Sequence, residues 1–285
     1  MKVSVIIPTY NEEKVIGECL KSLLGQSLAD FEVIVVDDGS TDTTMLKLRS
    51  ASKTERVKVF TQGHRGAGAA RNLGVKHAKG EILVFVDADM TFGKEFLKNL
   101  IKPIGLSQPG RSRTIYGTFS KEEYLGNADN VWARCWNINR GLPINKMHSK
   151  NYPDNDKVFR AILKSEFDRA GGFDEKTGYT DDYSLSQKLG VMAVTAPGAI
   201  FYHNNPDSLE EVFIQSKWVA KRKYKLGMIG SLGTLIARSL PFSILFGIVI
   251  GLTSMTPQFL IFRIISDFGQ FVGILEYMFG GKVSK

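Results

Sequence analysis

The sequence predicts an α/β protein: a mainly parallel, Rossmann-like sheet flanked by helices, followed by a hydrophobic helical C-terminal region. Three observations predict it. Apolar runs alternate with helically spaced segments through the first hundred residues, each run is apolar on both faces, and from residue 229 the chain nearly loses its charge. Strands buried on both sides and separated by helices form parallel sheets covered by helices.

The elements follow in order. Val3–Ile7 is a first strand, an apolar run ending at Pro8. From Glu12 to Leu24 the apolar positions Val15, Ile16, Cys19, Leu20, Leu23 and Leu24 recur at three and four, which is helical spacing. Phe31–Val36 is a second strand running into Asp37, Asp38 and Gly39. Ser40 or Thr41 is expected to cap the next helix, whose apolar side is Met45, Leu46 and Leu48. Val57–Phe60 is a short third strand, Ala67 to Ala78 a small-residue helix, and Ile82–Val86 a fourth strand. Residues 103–157 give no firm assignment. A short strand is expected at Ala199–Tyr202, ending in His203. A helix is expected over 208–226, with acids early and bases late, as the helix dipole favours.

The tail differs in kind. Between Ile229 and Phe279 only Arg238, Arg263, Asp267 and Glu276 carry charge, and the Leu240–Phe262 window is long enough to cross a bilayer. Thr253, Ser254, Thr256, Pro257 and Gln258 interrupt it, and a second apolar stretch runs from Ile264 to Phe279. A membrane hairpin, two interfacial helices, or an apolar pair packed on the rest of the protein or on a homodimer partner all fit this pattern. The cluster Lys217, Lys221, Arg222, Lys223 and Lys225, interleaved with Trp218 and Tyr224, favours a membrane, with bases at anionic headgroups and the preceding domain on the cytoplasmic side. The expected organisation is an α/β domain over 1–207, a basic amphipathic interfacial helix over 208–228 and a hydrophobic membrane-associated tail over 229–285.

Composition narrows the partners. With 285 residues, 43% of them hydrophobic, the chain holds one sizeable core plus an appendage. Its net charge of +8 is not gathered in one long tail and no nucleic-acid motif is present, so no nucleic-acid partner is expected. Cys19 and Cys135 stand far apart without metal-ligand spacing, which points to a reducing compartment. The opening MKVSVIIPTYN has too short an apolar run for a signal peptide, so the N-terminal domain is expected in the cytosol.

Parallel α/β sheets bind ligands beyond the carboxyl ends of their strands. Tyr10, Asn11 and Glu12 follow the first strand, Asp37 and Asp38 the second, and Asp87 and Asp89 the fourth, so three polar clusters converge on one rim. Burying acids at a strand exit is costly unless a cation relieves them. Alternate residues of a strand share a face, so Asp87 and Asp89 address the same space, and a hard divalent ion carrying phosphate oxygens suits them. That implies a nucleotide diphosphate. The alternative is that both acids cap a helix starting near Gly93. The segment GAGAAR, residues 66–71, resembles a dinucleotide fingerprint, but Arg71 stands where a small residue belongs and Thr61–Arg65 separate it from the strand. An NAD-binding dehydrogenase is therefore disfavoured, and these glycines are expected to let a loop and helix start pass close to phosphate.

The segments VSVIIPTYNEE, VIVVDDGSTD, GAGAARNLGVKHAKGEILVFVDADM and TDDYSLSQKL resemble, in that order, the family 2 glycosyltransferases, inverting enzymes of the GT-A fold that use nucleotide sugars. The resemblance runs from residue 3 to about 205. It implies that Pro8, Tyr10 and Glu12 border the nucleotide, that Asp38 holds the base, and that Arg71 lies on the nucleotide side. It also implies that Asp87, Ala88 and Asp89 form the metal-binding DxD segment for Mn²⁺ or Mg²⁺, with His203 as a late further ligand. Asp182, with Asp181 as the substitute, matches the catalytic base that activates an acceptor hydroxyl. The partners so implied are a nucleotide-diphosphate sugar and a glycan or lipid-linked acceptor. Processive relatives carry a Gln-x-x-Arg-Trp signature, and QSKW at Gln215–Trp218 lacks its spacing and its arginine. Polyprenyl-phosphate glycosyltransferases share the PTYNE and DAD segments but need no base, so Asp181 and Asp182 favour a hydroxyl acceptor. A non-catalytic nucleotide-sugar-binding protein is the remaining alternative.

Overall fold

The structure, a computed structural model, describes residues 2–106, 114–175, 182–222 and 224–280; Asp181 and Lys223 lie outside them. The strands are β1 (Val3–Thr9), β2 (Phe31–Asp37), β3 (Val57–Thr61), β4 (Ile82–Phe85), β5 (Met90–Phe92) and β6 (Gly117–Phe119). They continue as β7 (Glu123–Leu125), β8 (Asn155–Asp156), β9 (Ala161–Leu163), β10 (Ala193–Thr195) and β11 (Phe201–His203). The helices are α1 (Ile16–Leu24), α2 (Thr44–Ala51), α3 (Ala67–Lys76), α4 (Phe96–Ile101), α5 (Val131–Asn139) and α6 (Lys164–Ala170). After them come α7 (Ser184–Leu189), α8 (Leu209–Ala220), α9 (Gly227–Ala237), α10 (Leu240–Thr253) and α11 (Phe259–Gly280). Contacts divide the chain into two units, Met1–Tyr124 with Asn151–His203 and Leu125–Lys150 with Asn204–Lys285.

The first unit is the α/β unit. Its main sheet has the order β3-β2-β1-β4-β9-β6-β10-β8, and β5-β11-β7 form a second, three-stranded sheet. Every residue of β1 and β2 is buried, as their apolar runs require. The four strands from β3 to β4 are parallel, but β9 runs antiparallel to both β4 and β6, and β8 antiparallel to β10. The sheet is therefore mixed: β6 and β10 pair parallel, so six of its eight strands run one way and β9 and β8 run against them. The half beyond β4 is built from strands of two or three residues, too short to show a period in the sequence. One core cluster unites Val3, Ile16, Val33, Leu48 and Phe96 on one face, and Ile6, Ile34, Leu83, Phe85 and Phe167 form another.

Several boundaries move. α1 begins at Ile16 rather than Glu12. Neither Ser40 nor Thr41 caps α2, which starts at Thr44. Instead Ser40 Oγ accepts from Asn11 N and Thr41 N donates to Asn11 Oδ1, tying the first and second rim loops together. Both cysteines are buried and free.

The second unit is helical. Ser208 caps α8, its Oγ accepting from Glu211 N at 3.2 Å. The helix ends at Ala220, short of the expected residue 226. Lys217 and Lys221, one turn apart at its end, both pair with Glu276 of α11. The Leu240–Phe262 window is likewise not one helix: α10 ends at Thr253, Met255 takes φ 52°, and α11 begins after Pro257. α11 packs backbone-close on α8. A Cβ on Gly269 would lie 2.6 Å from the Phe213 carbonyl oxygen, and one on Gly273 would lie 2.2 Å from that of Lys217. No described helix is by itself long and apolar enough to cross a membrane; α9 and α10 reach that length only as a pair bent by 59°.

Candidate active site

Strand register assembles the rim. β1 and β2 run side by side so that Thr9 meets Asp37, and Asp38 N donates to Thr9 O at 2.8 Å. β4 lies beside β1, which delivers Asp87 to the same edge. Because β9 is antiparallel to β4, its start rather than its end reaches this rim, and Phe85 N bonds Arg160 O. β11 pairs antiparallel with β5, His203 opposite Met90, which sets His203 beside Asp89.

At the centre is a ladder of ions. Arg71, on α3 and nearly fully buried, donates to Asp87 Oδ1 at 2.8 Å and to Asp182 Oδ1 at 2.7 Å. Arg160 donates to Asp87 Oδ2 at 3.3 Å. Burial pushes the Asp87 carboxyl up, but the Arg71 and Arg160 guanidiniums and the His203 ring outweigh it and hold the group well below the usual carboxylate range. Thus both Asp87 oxygens are in guanidinium pairs, and Arg71 links the DxD segment to the candidate base.

Next to it, His203 bridges two acids, Nε2 at 3.0 Å from Asp89 Oδ2 and Nδ1 at 2.9 Å from Glu123 Oε1. Burial lowers the proton affinity of this ring, but Asp89 and Glu123 more than offset that and raise it well above the ordinary histidine value. Glu12 faces the same acids. Burial, then Asp89 and Asp87, push its carboxyl up to about 8. The rim therefore carries an excess of negative charge that the chain partly answers by holding protons.

Among the described residues no three His, Cys, Asp or Glu side chains surround a point where an ion would be held by protein alone. Asp89 and His203 nevertheless fit a hard divalent cation. Asp89 Oδ1 is buried with no hydrogen-bond partner among the described residues. Glu123 accepting from Nδ1 would hold His203 in the tautomer that ligates through Nε2, with a cation taking the place of the proton Nε2 shares with Asp89, the usual support for a metal-bound imidazole. Two protein ligands suffice when phosphate oxygens and water complete the shell.

The other expected residues lie along the same edge. Pro8 and Ala88 are buried in the walls. Tyr10 is half exposed and stacks on His64, ring centroids 4.1 Å apart. The Asp38 carboxylate receives four donors from its own chain: Gln62 Nε2, Arg65 N, Gly66 N and His64 Nδ1, at 2.7–3.0 Å. Gly66 takes φ 98°, open to glycine, at the N-cap of α3, and its N–H is taken by the Asp38 carboxylate. A base meeting Asp38 must displace one of these donors or meet His64. Sequence reasoning missed His64, Arg160 and Glu123. The first sits just past a strand end on the same rim and was readable there; the others flank or occupy three-residue strands that give no signal.

A glycosyl transferase family 2 model matches residues 4–171, more than half the chain. The chain belongs to that family. It is 43% identical over 222 residues to the uncharacterized glycosyltransferase EpsJ of Bacillus subtilis, a match covering 74% of this chain and 63% of EpsJ. It is 34% identical over 186 residues to the poly(ribitol-phosphate) beta-N-acetylglucosaminyltransferase TarS of Staphylococcus aureus, covering 59% of this chain and 31% of TarS. It thus spans less than two thirds of either relative's length. Among solved structures, the mannosyltransferase PcManGT of Pyrobaculum calidifontis, in complex with GDP-Man and Mn²⁺, is similar with a TM-score of 0.54 and 19% identity, over 94% of this chain and 86% of that one. At that identity the likeness concerns the fold, a mixed α/β sheet with flanking helices as in GT-A glycosyltransferases.

Proposed function

We propose that this family 2 chain is a metal-dependent inverting glycosyltransferase that moves a sugar from a nucleotide-diphosphate donor to a hydroxyl of a glycan or lipid-linked acceptor. The observation that carries the reading is the Asp182–Arg71–Asp87 ladder beside the Asp89–His203 pair. The solved complexes of TarS with UDP-GlcNAc and of PcManGT with GDP-Man support transfer from a nucleotide sugar, and the Mn²⁺ in the latter supports the cation.

Asp182 takes the proton of the acceptor hydroxyl as that oxygen attacks the anomeric carbon, while the bond to the diphosphate oxygen breaks on the opposite face. Arg71 fixes the orientation of the Asp182 carboxylate through its 2.7 Å bond and ties it to the donor side through Asp87. Held by Asp89 and His203, Mn²⁺ or Mg²⁺ would supply the positive charge that the departing diphosphate needs. Tyr10 and His64 offer a flat, half-exposed platform for the base, beside Asp38. Catalysis falls to residues before 207. Attachment to a membrane, with the catalytic residues on the cytoplasmic side, falls to the basic stretch and tail that follow, and their apolar surface supports a lipid-linked acceptor.

The test is release of nucleoside diphosphate across a panel of UDP- and GDP-sugars with Mn²⁺ and candidate acceptors. Turnover with at least one donor, lost on chelation and in Asp89→Ala, is expected. Donor binding without turnover under every acceptor would point to a non-catalytic binding protein.

A further inference from the structure

Within the second unit, α9 and α10 reverse the usual order of burial. In α10 the buried positions are Ser243, Gly247 and Gly251, whereas Leu245, Phe246, Ile248, Val249 and Leu252 are exposed, Leu252 to 76%. In α9 the buried residue is Ser231, and Met228, Ile229, Leu232 and Ile236 face outward. α11 buries Phe259, Phe262 and Ile274 in the ordinary way, and beside them Ser266 and Asp267, the latter completely. Asp267 is met there by Arg238 Nη1 at 2.8 Å, Arg263 Nε at 2.6 Å and Ser243 Oγ at 2.9 Å. Small and polar residues inside with large apolar ones outside is an arrangement that water penalises and lipid favours.

We propose that α9 and α10 form a wedge embedded in one leaflet of an anionic phospholipid bilayer, entering and leaving on the same side. The inference rests on the membrane attachment proposed above and specifies its form. Three features choose lipid over a second protein surface. At 100° per residue, the exposed apolar positions of α10 spread over an arc of roughly 200°, wider than the stripe a packed helix turns to one partner. From Tyr224 to Leu275 the sole acid is Asp267, which pairs inside with Arg238 and Arg263, and Glu276 just beyond is held by Lys217 and Lys221, so this stretch turns no unpaired carboxylate toward a negative headgroup layer. Arg222 and Lys225 stand at the entrance to α9. Length selects the wedge over a span. Eleven and fourteen residues make helices about 16 and 21 Å long, each short of a hydrocarbon core of about 30 Å, and the 59° bend turns the second away from the first. Arg238, at that bend, enters as a member of an ion pair rather than as a bare charge.

The test uses the full chain mixed with sealed vesicles of phosphatidylcholine containing a minority of phosphatidylglycerol. Flotation reads attachment. Fluorophores on Leu245→Cys and Leu252→Cys, quenched by lipids brominated at graded depths, read insertion, and a label at Lys285→Cys probed with an impermeant quencher reads sidedness. Expected are flotation, quenching of both α10 labels within the outer leaflet, and full outside access to the C-terminal label. A C-terminal label reachable only after detergent overturns the wedge and leaves attachment standing. Absence of flotation, or a soluble dimer that shields the α10 labels, overturns both. The Leu245→Asp/Leu252→Asp variant should lower vesicle binding by about tenfold or more, while nucleoside diphosphate binding in solution, which reports the transferase site separately, stays unchanged.

Discussion

The two units solve the problem of charge in opposite ways. In the α/β unit, fully buried apolar strands carry the chain to an edge, and ions gather at the edge: Arg71, Asp87, Asp182, Arg160, Asp89 and His203. In the helical unit an ion cluster lies inside, Asp267 clamped by Arg238 and Arg263, while α9 and α10 turn their apolar side chains outward. The same types of pair therefore serve different ends. Charge at a strand edge is available to a ligand, and charge sealed inside a bundle fixes how helices meet.

Substitutions can break that contrast. Asp182→Asn should cut turnover by about 10²–10⁴-fold, the range for loss of a positioned base, with donor binding retained. Steady-state and titration measurements together check it, and the same loss in Asp181→Asn alone would move the base to that neighbour. Asp267→Ala should instead act on folding. It leaves two guanidiniums without their acid and should cost about 3–5 kcal/mol in denaturation followed in mild detergent, with no direct effect on donor affinity. Gly273→Val should cost about 1–3 kcal/mol, because its side chain would press on the Lys217 carbonyl and force α8 from α11.

The smallest effect is one of pH. Glu12 holds its proton up to about 8 in the folded chain and releases it near 4.5 when unfolded, so its burial costs nothing below 4.5 and progressively more as pH climbs to 8. His203, raised by Asp89 and Glu123 against its burial, adds stability that is complete below its unfolded value and is lost as pH rises through the folded one. Both make the α/β unit weaken toward alkaline pH. Mn²⁺ at Asp89 would displace these protons, so its affinity should rise between pH 6 and 8. A pH-independent affinity by calorimetry would uncouple the cation from this cluster.

The sequence made β1, β2 and α3 readable because strands buried on both faces appear as unbroken apolar runs and a small-residue helix keeps its period. It hid the half of the sheet beyond β4, whose strands of two or three residues carry no pattern. The site divides the same way. Asp87 and Asp89 announce themselves at a strand exit, whereas Arg160 matters only because antiparallel pairing of β9 with β4 folds it back onto that edge, and Glu123 because β7 lies beside β11 and meets His203. The inversion of α10 did leave a trace: Ser243, Gly247 and Gly251 recur every fourth residue through an apolar run, the spacing of small residues at a close helix contact.

The central claim is that Asp89 and His203 seat a divalent cation carrying the donor's diphosphate. Anomalous diffraction from crystals soaked with Mn²⁺ and a nucleotide sugar tests it directly. A manganese peak in contact with Asp89 Oδ1 and His203 Nε2, with diphosphate oxygens completing its shell, is the result this account predicts. A bound nucleotide with no metal there, or a metal bound elsewhere, would contradict it.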